Sequence, residues 1–204
     1  PGLAKDFCVN FTQTPPPQVG DKPVPLLIPD ASISECRDWT GVMTINKSNL
    51  DIKLDGENAP QAVANFVDLI NNGFYTGISC HRLTTAGIYV LQCGDPKGDG
   101  TGDPGYKFGP IENAPVAAEG SAAPIYKKGV LAMARSSNSD KSMGSQFFIV
   151  YQDSGIPNDS VGGYTVFGEV TAGLAGLDSI IANGVTGGGT DGKPKTTTII
   201  NNIT

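Results

Sequence analysis

Histidine occurs once in these 204 residues, at position 81. A Ser–His–Asp triad or a histidine-based metal centre would have to be built on His81, and a lone histidine beside a predicted strand is more often structural than catalytic. Charge is sparse too: 17% of residues are Asp, Glu, Lys or Arg, and the net charge is −6. A phosphate-reading surface needs a basic stripe, and none runs along this chain, so nucleic acid is not an expected partner. No apolar run approaches the ~20 residues of a membrane span. There is no CxxC pair, which argues against zinc. The sequence Gly144-Ser145-Gln146 lacks the second glycine of a nucleophile elbow. Residues 98–105, GDGTGDPG, lack both the Lys-Ser/Thr of a phosphate loop and the closing Glu of a calcium loop. They read as a turn-rich connector. No metal and no cofactor is implied.

What is plentiful is glycine, 27 residues, and proline, 15, as expected of a β-rich domain with many turns. The length suits one domain plus an appendage. Residues 1–37 have their own texture: Pro15-Pro16-Pro17 and Lys22-Pro23-Val24-Pro25 favour extended, polyproline-like chain, a linker or a strap over the domain that occupies 38–204. The sequence begins at Pro1 rather than Met, so an upstream segment is expected to have been removed. Any membrane association would come through an anchor in that segment. Four cysteines, an even count with little metal logic, allow disulfides and hence an oxidising, extracytoplasmic compartment; four reduced thiols are the alternative. Cys8 and Cys36 are the favoured pair, because they bracket a segment that gains from closure.

Periodicity supplies the domain. Residues 39–45 are β-prone, 46–49 form a turn, and 50–54, LDIKL, alternate as a half-buried strand. A helix opens near Pro60 with Asn58 as its expected cap. Its core stripe is Val63, Phe66, Val67 and Ile70, and Asn72-Gly73 ends it. Short strands follow at 79–83, 89–92, 129–134, 147–151, 164–170 and 196–203, with a further short stretch at 106–108. Leu174, Leu177, Ile180 and Ile181 mark a second amphipathic helix. About eight strands and two helices, without βαβ regularity, predict a mainly β chain: a closed eight-stranded antiparallel barrel capped by two α-helices.

A polar loop between two apolar strands stands out at 133–148, MARSSNSDKSMGSQFF. Buried strands must hold such a loop in place, and it has the character of a binding surface. Arginine use is sparing: Arg37, Arg82 and Arg135 among 14 basic residues. Arginine offers a rigid fork of donors. For Arg82 a salt bridge at the barrel rim is the structural alternative.

Taken in order, Cys80-His81-Arg82-Leu83, Leu91-Gln92-Cys93-Gly94-Asp95, Leu131-Ala132-Met133-Ala134, Gly144-Ser145-Gln146-Phe147-Phe148-Ile149 and Val166-Phe167-Gly168 resemble the cyclophilin-type peptidyl-prolyl isomerases. So do Asn65-Phe66 in the first helix and the following Gly73-Phe74-Tyr75. The resemblance implies rotation about X–Pro bonds, a barrier of ~18–20 kcal/mol that yields without proton transfer. Arg82 matches the catalytic arginine, whose guanidinium favours the pyramidal nitrogen of the twisted imide. Phe148 matches the floor of the proline cup, and Tyr89 and Val90 match its walls. Gln92 and Gln146 match polar orienting residues, and Ala134 and Arg135 the backbone-binding edge.

There are departures. Arg135 replaces the family's usual Asn and would change the charge of the groove. Tyr164 stands where a His is usual, the 153–163 loop is lengthened with Ile156 as its expected apolar pocket residue, and the cyclosporin-contacting Trp position has no Trp. Cyclosporin binding is therefore expected to be weak at most. Pairing of Arg82 with Gln92 would put Cys80 and Cys93 on opposite faces, so a second disulfide would need a bulge. The expected partners are proline-containing peptides and unfolded polypeptides, as clients of a folding isomerase for secreted or envelope proteins. The alternatives are a non-catalytic proline-peptide module or chaperone of the same fold, and an unrelated ligand-carrying barrel.

Overall fold

Strict alternation in Leu50, Ile52 and Leu54 commits the first hairpin to one buried face. In this computed structural model, which describes Cys8 and residues 27–204, that hairpin is β1 (Asp38–Ile45) and β2 (Ser48–Asp55). Asn46 turns the corner at φ 53, a conformation Asn tolerates. Its side chain donates to Thr197 O and accepts from Ile199 N, tying the turn to the end of the chain.

Helix α1 (Pro60–Asn71) follows, with Val63, Phe66 and Val67 buried as the stripe requires. Its capping differs from expectation. The cap position falls on Ala59, which offers no side-chain acceptor, while the Asn58 amide is taken by the Asp55 carboxylate. Glu112 arrives instead from far along the chain and accepts from the N–H groups of Gln61 (3.1 Å) and Ala62 (3.0 Å).

The other strands are β3 (Arg82–Thr84), β4 (Val90–Cys93), β5 (Ile125–Tyr126), β6 (Val130–Met133), β7 (Phe147–Val150), β8 (Ser154–Gly155), β9 (Val166–Ala172), β10 (Asp191–Gly192) and β11 (Ile200–Ile203). Nine form one antiparallel sheet in the order β10-β3-β4-β7-β6-β9-β2-β1-β11; β5 and β8 pair separately. The approach to β3 meets the approach to β11 through Cys80 N–Thr198 O (2.8 Å), Ile200 N–Ile78 O (2.9 Å) and Gly77 N–Ile200 O (2.8 Å). Eight strands thus curl until their ends touch, and β10 is a two-residue addition beside β3. Residues 106–108 contribute only the isolated Phe108–Met143 bridge. The second helix is split into a 3-10 turn (Leu174–Leu177) and α2 (Asp178–Asn183). Gly176 accepts from Ser48 Oγ (2.9 Å) at a spot where a Cβ would strike that side chain.

Register divides the barrel into an inner and an outer face. Leu83, Leu91, Ile149 and Leu131 pair in one row and point into the main core, with Phe66, Phe147 and Phe167 packed at ring distances of 5.0–6.4 Å. The next row, Arg82, Gln92, Phe148, Ala132 and Val166, points out. A second, smaller apolar cluster of Val90, Tyr126, Ala132, Phe148, Val150 and Ile156 covers part of that outer face. All four residues of β7 are buried because both of its faces are covered.

Cys8 is joined to Cys36, and Cys80 to Cys93. The second bond is reached because Cys80 has already left the β3–β4 ladder. Its N–H goes to Thr198 O, and His81 N donates to Gln92 O. Parity counted from Arg82 therefore no longer fixes the direction of Cys80. In residues 27–37, Asp30 caps a 3-10 turn (Ala31–Ser34) that packs on α1, and Gln61 Nε2 donates to Pro29 O. The polyproline-like expectation for Pro15–Pro17 and Pro23–Pro25 lies outside the described residues. No described helix is long and apolar enough to cross a membrane.

Candidate active site

Because β3, β4, β7 and β6 are neighbours in that order, one outward row brings a guanidinium, a carboxamide and a phenyl ring together from residues 82, 92 and 148. They line a cavity of about 340 Å³ with Ile88, Val90, Ala134, Arg135, Ser137, Ile156 and Tyr164. Phe148, 5% exposed, packs edge-on against the Tyr164 ring at 5.4 Å. The Tyr126 hydroxyl secures that wall by accepting from Tyr164 N (2.7 Å).

Of the residues expected here, Tyr89 is not on the wall. Side chains 88, 90 and 92 share one face, so Ile88 takes the wall position. Tyr89 turns to the main core, its ring 6.0 Å from Tyr151. Gln146 lines an adjoining polar cavity of about 410 Å³, which shares Gln92, Ala134, Arg135 and Ser137 with the first.

The polar groups form a directed chain. Arg82 Nη1 donates to Gln92 Oε1 (3.3 Å), Gln92 Nε2 to Gln146 Oε1 (2.9 Å), and Gln146 Nε2 to the carbonyls of Gly100 (3.0 Å) and Gly102 (2.8 Å). Each amide has one orientation that satisfies both neighbours. The Gly/Asp loop is thus more than a connector. Asp95, 1% exposed, accepts from Lys97, Asp99 and Gly100 N–H groups and fixes the carbonyls that hold Gln146. From below, Asn65 Nδ2 donates to Gly144 O (2.9 Å), Tyr75 Oη to Ser145 O (3.0 Å) and Ser145 Oγ to Gly94 O (2.7 Å). Helix α1 therefore sets where Gln146 begins.

Arg82 also carries the rim salt bridge. Nε and Nη2 each lie 2.8 Å from an Asp191 carboxylate oxygen. The hydrogen bond from Arg82 holds the Asp191 carboxyl below its ordinary range. Asp191 gave no signal in the sequence, since only the pairing of β10 with β3 brings it there. Ile88, by contrast, is legible from parity.

Arg135 does not charge the groove as expected. Its side chain is 1% exposed and spends its donors on Asp159 (2.8 and 2.9 Å) and on the carbonyls of Ser136, Gly162 and Gly163, with its guanidinium carbon 4.8 Å from the Tyr164 ring centre. The hydrogen bond from Arg135 holds Asp159 well below the usual carboxylate range. This clamp fixes the 153–163 loop that delivers Ile156 and Tyr164. Among the described residues the backbone N–H and C=O of Arg135 have no partner, so an extended peptide can pair with that edge.

His81 is buried, its ring nitrogens unpartnered among the described residues, and it does not line the cavity. Burial lowers its pKa. Among the described residues no cluster of three or more His, Cys, Asp or Glu side chains is arranged to hold a metal ion.

The closed antiparallel barrel thus carries on its outer face an apolar cup, a stretch of backbone at Arg135 without a partner among the described residues, and a guanidinium over the rim. A family model described as cyclophilin type peptidyl-prolyl cis-trans isomerase/CLD matches residues 41–204, and the chain belongs to that family. It is 41% identical over 208 residues to a protein of Mycobacterium tuberculosis named "Probable peptidyl-prolyl cis-trans isomerase B", covering 95% of this chain and 63% of that protein. The Mycobacterium leprae protein of the same name is 44% identical over 79% of this chain and 55% of its own length. The chain thus spans less than two thirds of these relatives. A cyclophilin-type isomerase of Cryptosporidium parvum has a similar solved structure, with TM-score 0.64 and 27% identity over 82% of this chain and 96% of that one.

Proposed function

We propose that this chain is a peptidyl-prolyl cis-trans isomerase that rotates X–Pro bonds in polypeptide clients. The observation that carries the reading is the placement of Arg82 and Phe148 on the same cavity. The proline ring sits on Phe148 between Val90, Ile156 and Tyr164, and the preceding residues run along Ala134 and Arg135. As the imide twists, amide resonance is lost and the nitrogen lone pair localises. An Arg82 N–H then donates to that nitrogen, an interaction stronger in the transition state than in either planar isomer. Gln92 keeps the guanidinium in place and Gln146 keeps Gln92. A solved structure of the Cryptosporidium relative was determined in the presence of the dipeptide Ala-Pro, which supports a proline ligand for this pocket.

The test is a proline-peptide isomerisation assay on the unaltered chain and on Arg82→Ala. Loss of roughly 100- to 1,000-fold of the catalysed rate is expected, the cost of removing one transition-state donor. Binding of proline peptides without turnover would make the chain a non-catalytic module instead. In this reading the clients are unfolded secreted or envelope polypeptides in an oxidising, extracytoplasmic compartment, which two disulfides suit. Cyclosporin binds weakly at most, because Tyr164 stands in place of the usual His and the single Trp, Trp39, lies on β1 with its Nε1 donating to Ser34 O of the 3-10 turn. A submicromolar dissociation constant by calorimetry would overturn that.

A further inference from the structure

The geometry points to Asp191 as a positioning residue for Arg82, one that grips the guanidinium by its Nε edge so that the remaining donors face the proline cup. The inference rests on the isomerase reading and adds to it a residue from an element far along the chain. Arg82 has five N–H donors. Asp191 takes two, Gln92 takes a third, and two are left for substrate. Without the carboxylate, a single 3.3 Å bond to Gln92 would restrain a side chain that is 40% exposed. Two parallel bonds to a planar fork fix both its position and its plane, which one bond cannot do.

Asp191 is itself held by main chain. It pairs with Thr84 across β10–β3, Thr85 N donates to Thr190 O (2.8 Å), and Thr186 N to Lys193 O (2.8 Å) closes the hairpin that carries it. The arginine is thus gripped from both sides, by Gln92 on β4 and by Asp191 on β10, while β3 carries it. An exposed ion pair contributes little to stability, so its value lies in orientation. Misplacement by about an ångström at a reacting group costs up to about 100-fold in rate.

The test compares Asp191→Asn, Asp191→Ala and Asp191→Glu with the unaltered chain and with Arg82→Ala, reading kcat and KM together with the Arg82 Nε–Hε resonance. The Asn and Ala variants should lose roughly 10- to 100-fold in kcat with KM little changed, because the cup is intact. Their Arg82 Nε–Hε signal should broaden and exchange faster, and Glu should restore a substantial part of both. Asn keeps the side-chain volume, so the hairpin survives even where Ala disturbs it. Full activity in Asp191→Asn alongside a dead Arg82→Ala would overturn the positioning role and leave the isomerase reading standing. Full activity in Arg82→Ala, or no turnover in the unaltered chain, would overturn both.

Discussion

Glu112 offers the sharpest test of the electrostatics, because two effects pull its carboxyl in opposite directions. Burial raises its pKa from the ordinary 4.5 to about 7, against the two α1 N–H bonds that favour the ionised form. With the folded value above the unfolded one, the folded protein binds an extra proton between about pH 4.5 and pH 7. This group's contribution therefore falls as pH rises through that window and is flat outside it. At about 1.4 kcal/mol per pH unit of displacement the loss is about 3 kcal/mol. For a chain of this size that corresponds to roughly 6–12 °C in Tm. The assay is thermal or urea unfolding of the unaltered chain and of Glu112→Gln at pH 5 and pH 8. Gln removes the titration while keeping one acceptor for the helix, so the variant lacks the slope, and the stability of the unaltered chain minus that of the variant falls from pH 5 to pH 8. His81 titrates in both proteins and cancels in the difference. A difference that is flat, or that grows with pH, would mean the backbone bonds and the helix terminus outweigh burial, and the reasoning would fail.

Other perturbations follow from the packing. Phe66→Ala removes a ring that touches Tyr75, Phe147 and Phe167 at 5.0–5.3 Å and should cost about 3–5 kcal/mol, read as a lower urea midpoint at unchanged m. A cost below about 1 kcal/mol would contradict the close-packed core. Gly94→Ala forces a Cβ onto Ser145 O at φ +89 and should lose about 2–4 kcal/mol together with much of the activity, since Gln146 Cα is only 3.1 Å from that Cβ. Arg135→Leu should speed amide exchange at Asn138 and Val161, both bonded to Asp159, and raise KM for proline peptides as the Tyr164 wall loosens. Unchanged protection would show that the clamp does not hold the loop.

The strands and the α1 stripe were legible because alternation and 3.6-residue spacing are local signals. Val63, Phe66 and Val67, or Leu50, Ile52 and Leu54, announce a buried face whatever the rest of the chain does. Arg82, Gln92 and Phe148 were legible from the motifs around them, and parity would have replaced Tyr89 with Ile88. The helix cap, the Cys80–Cys93 bond and the partners of both active-site arginines were not. Glu112 reaches Ala62 across 50 positions, Asp191 reaches Arg82 across 109, and Asp159 meets Arg135 only because a loop folds back on β6. Local periodicity decides which face of an element is buried. Which distant carboxylate meets a given cation is set by strand order and loop return, and these exist only once the barrel has closed.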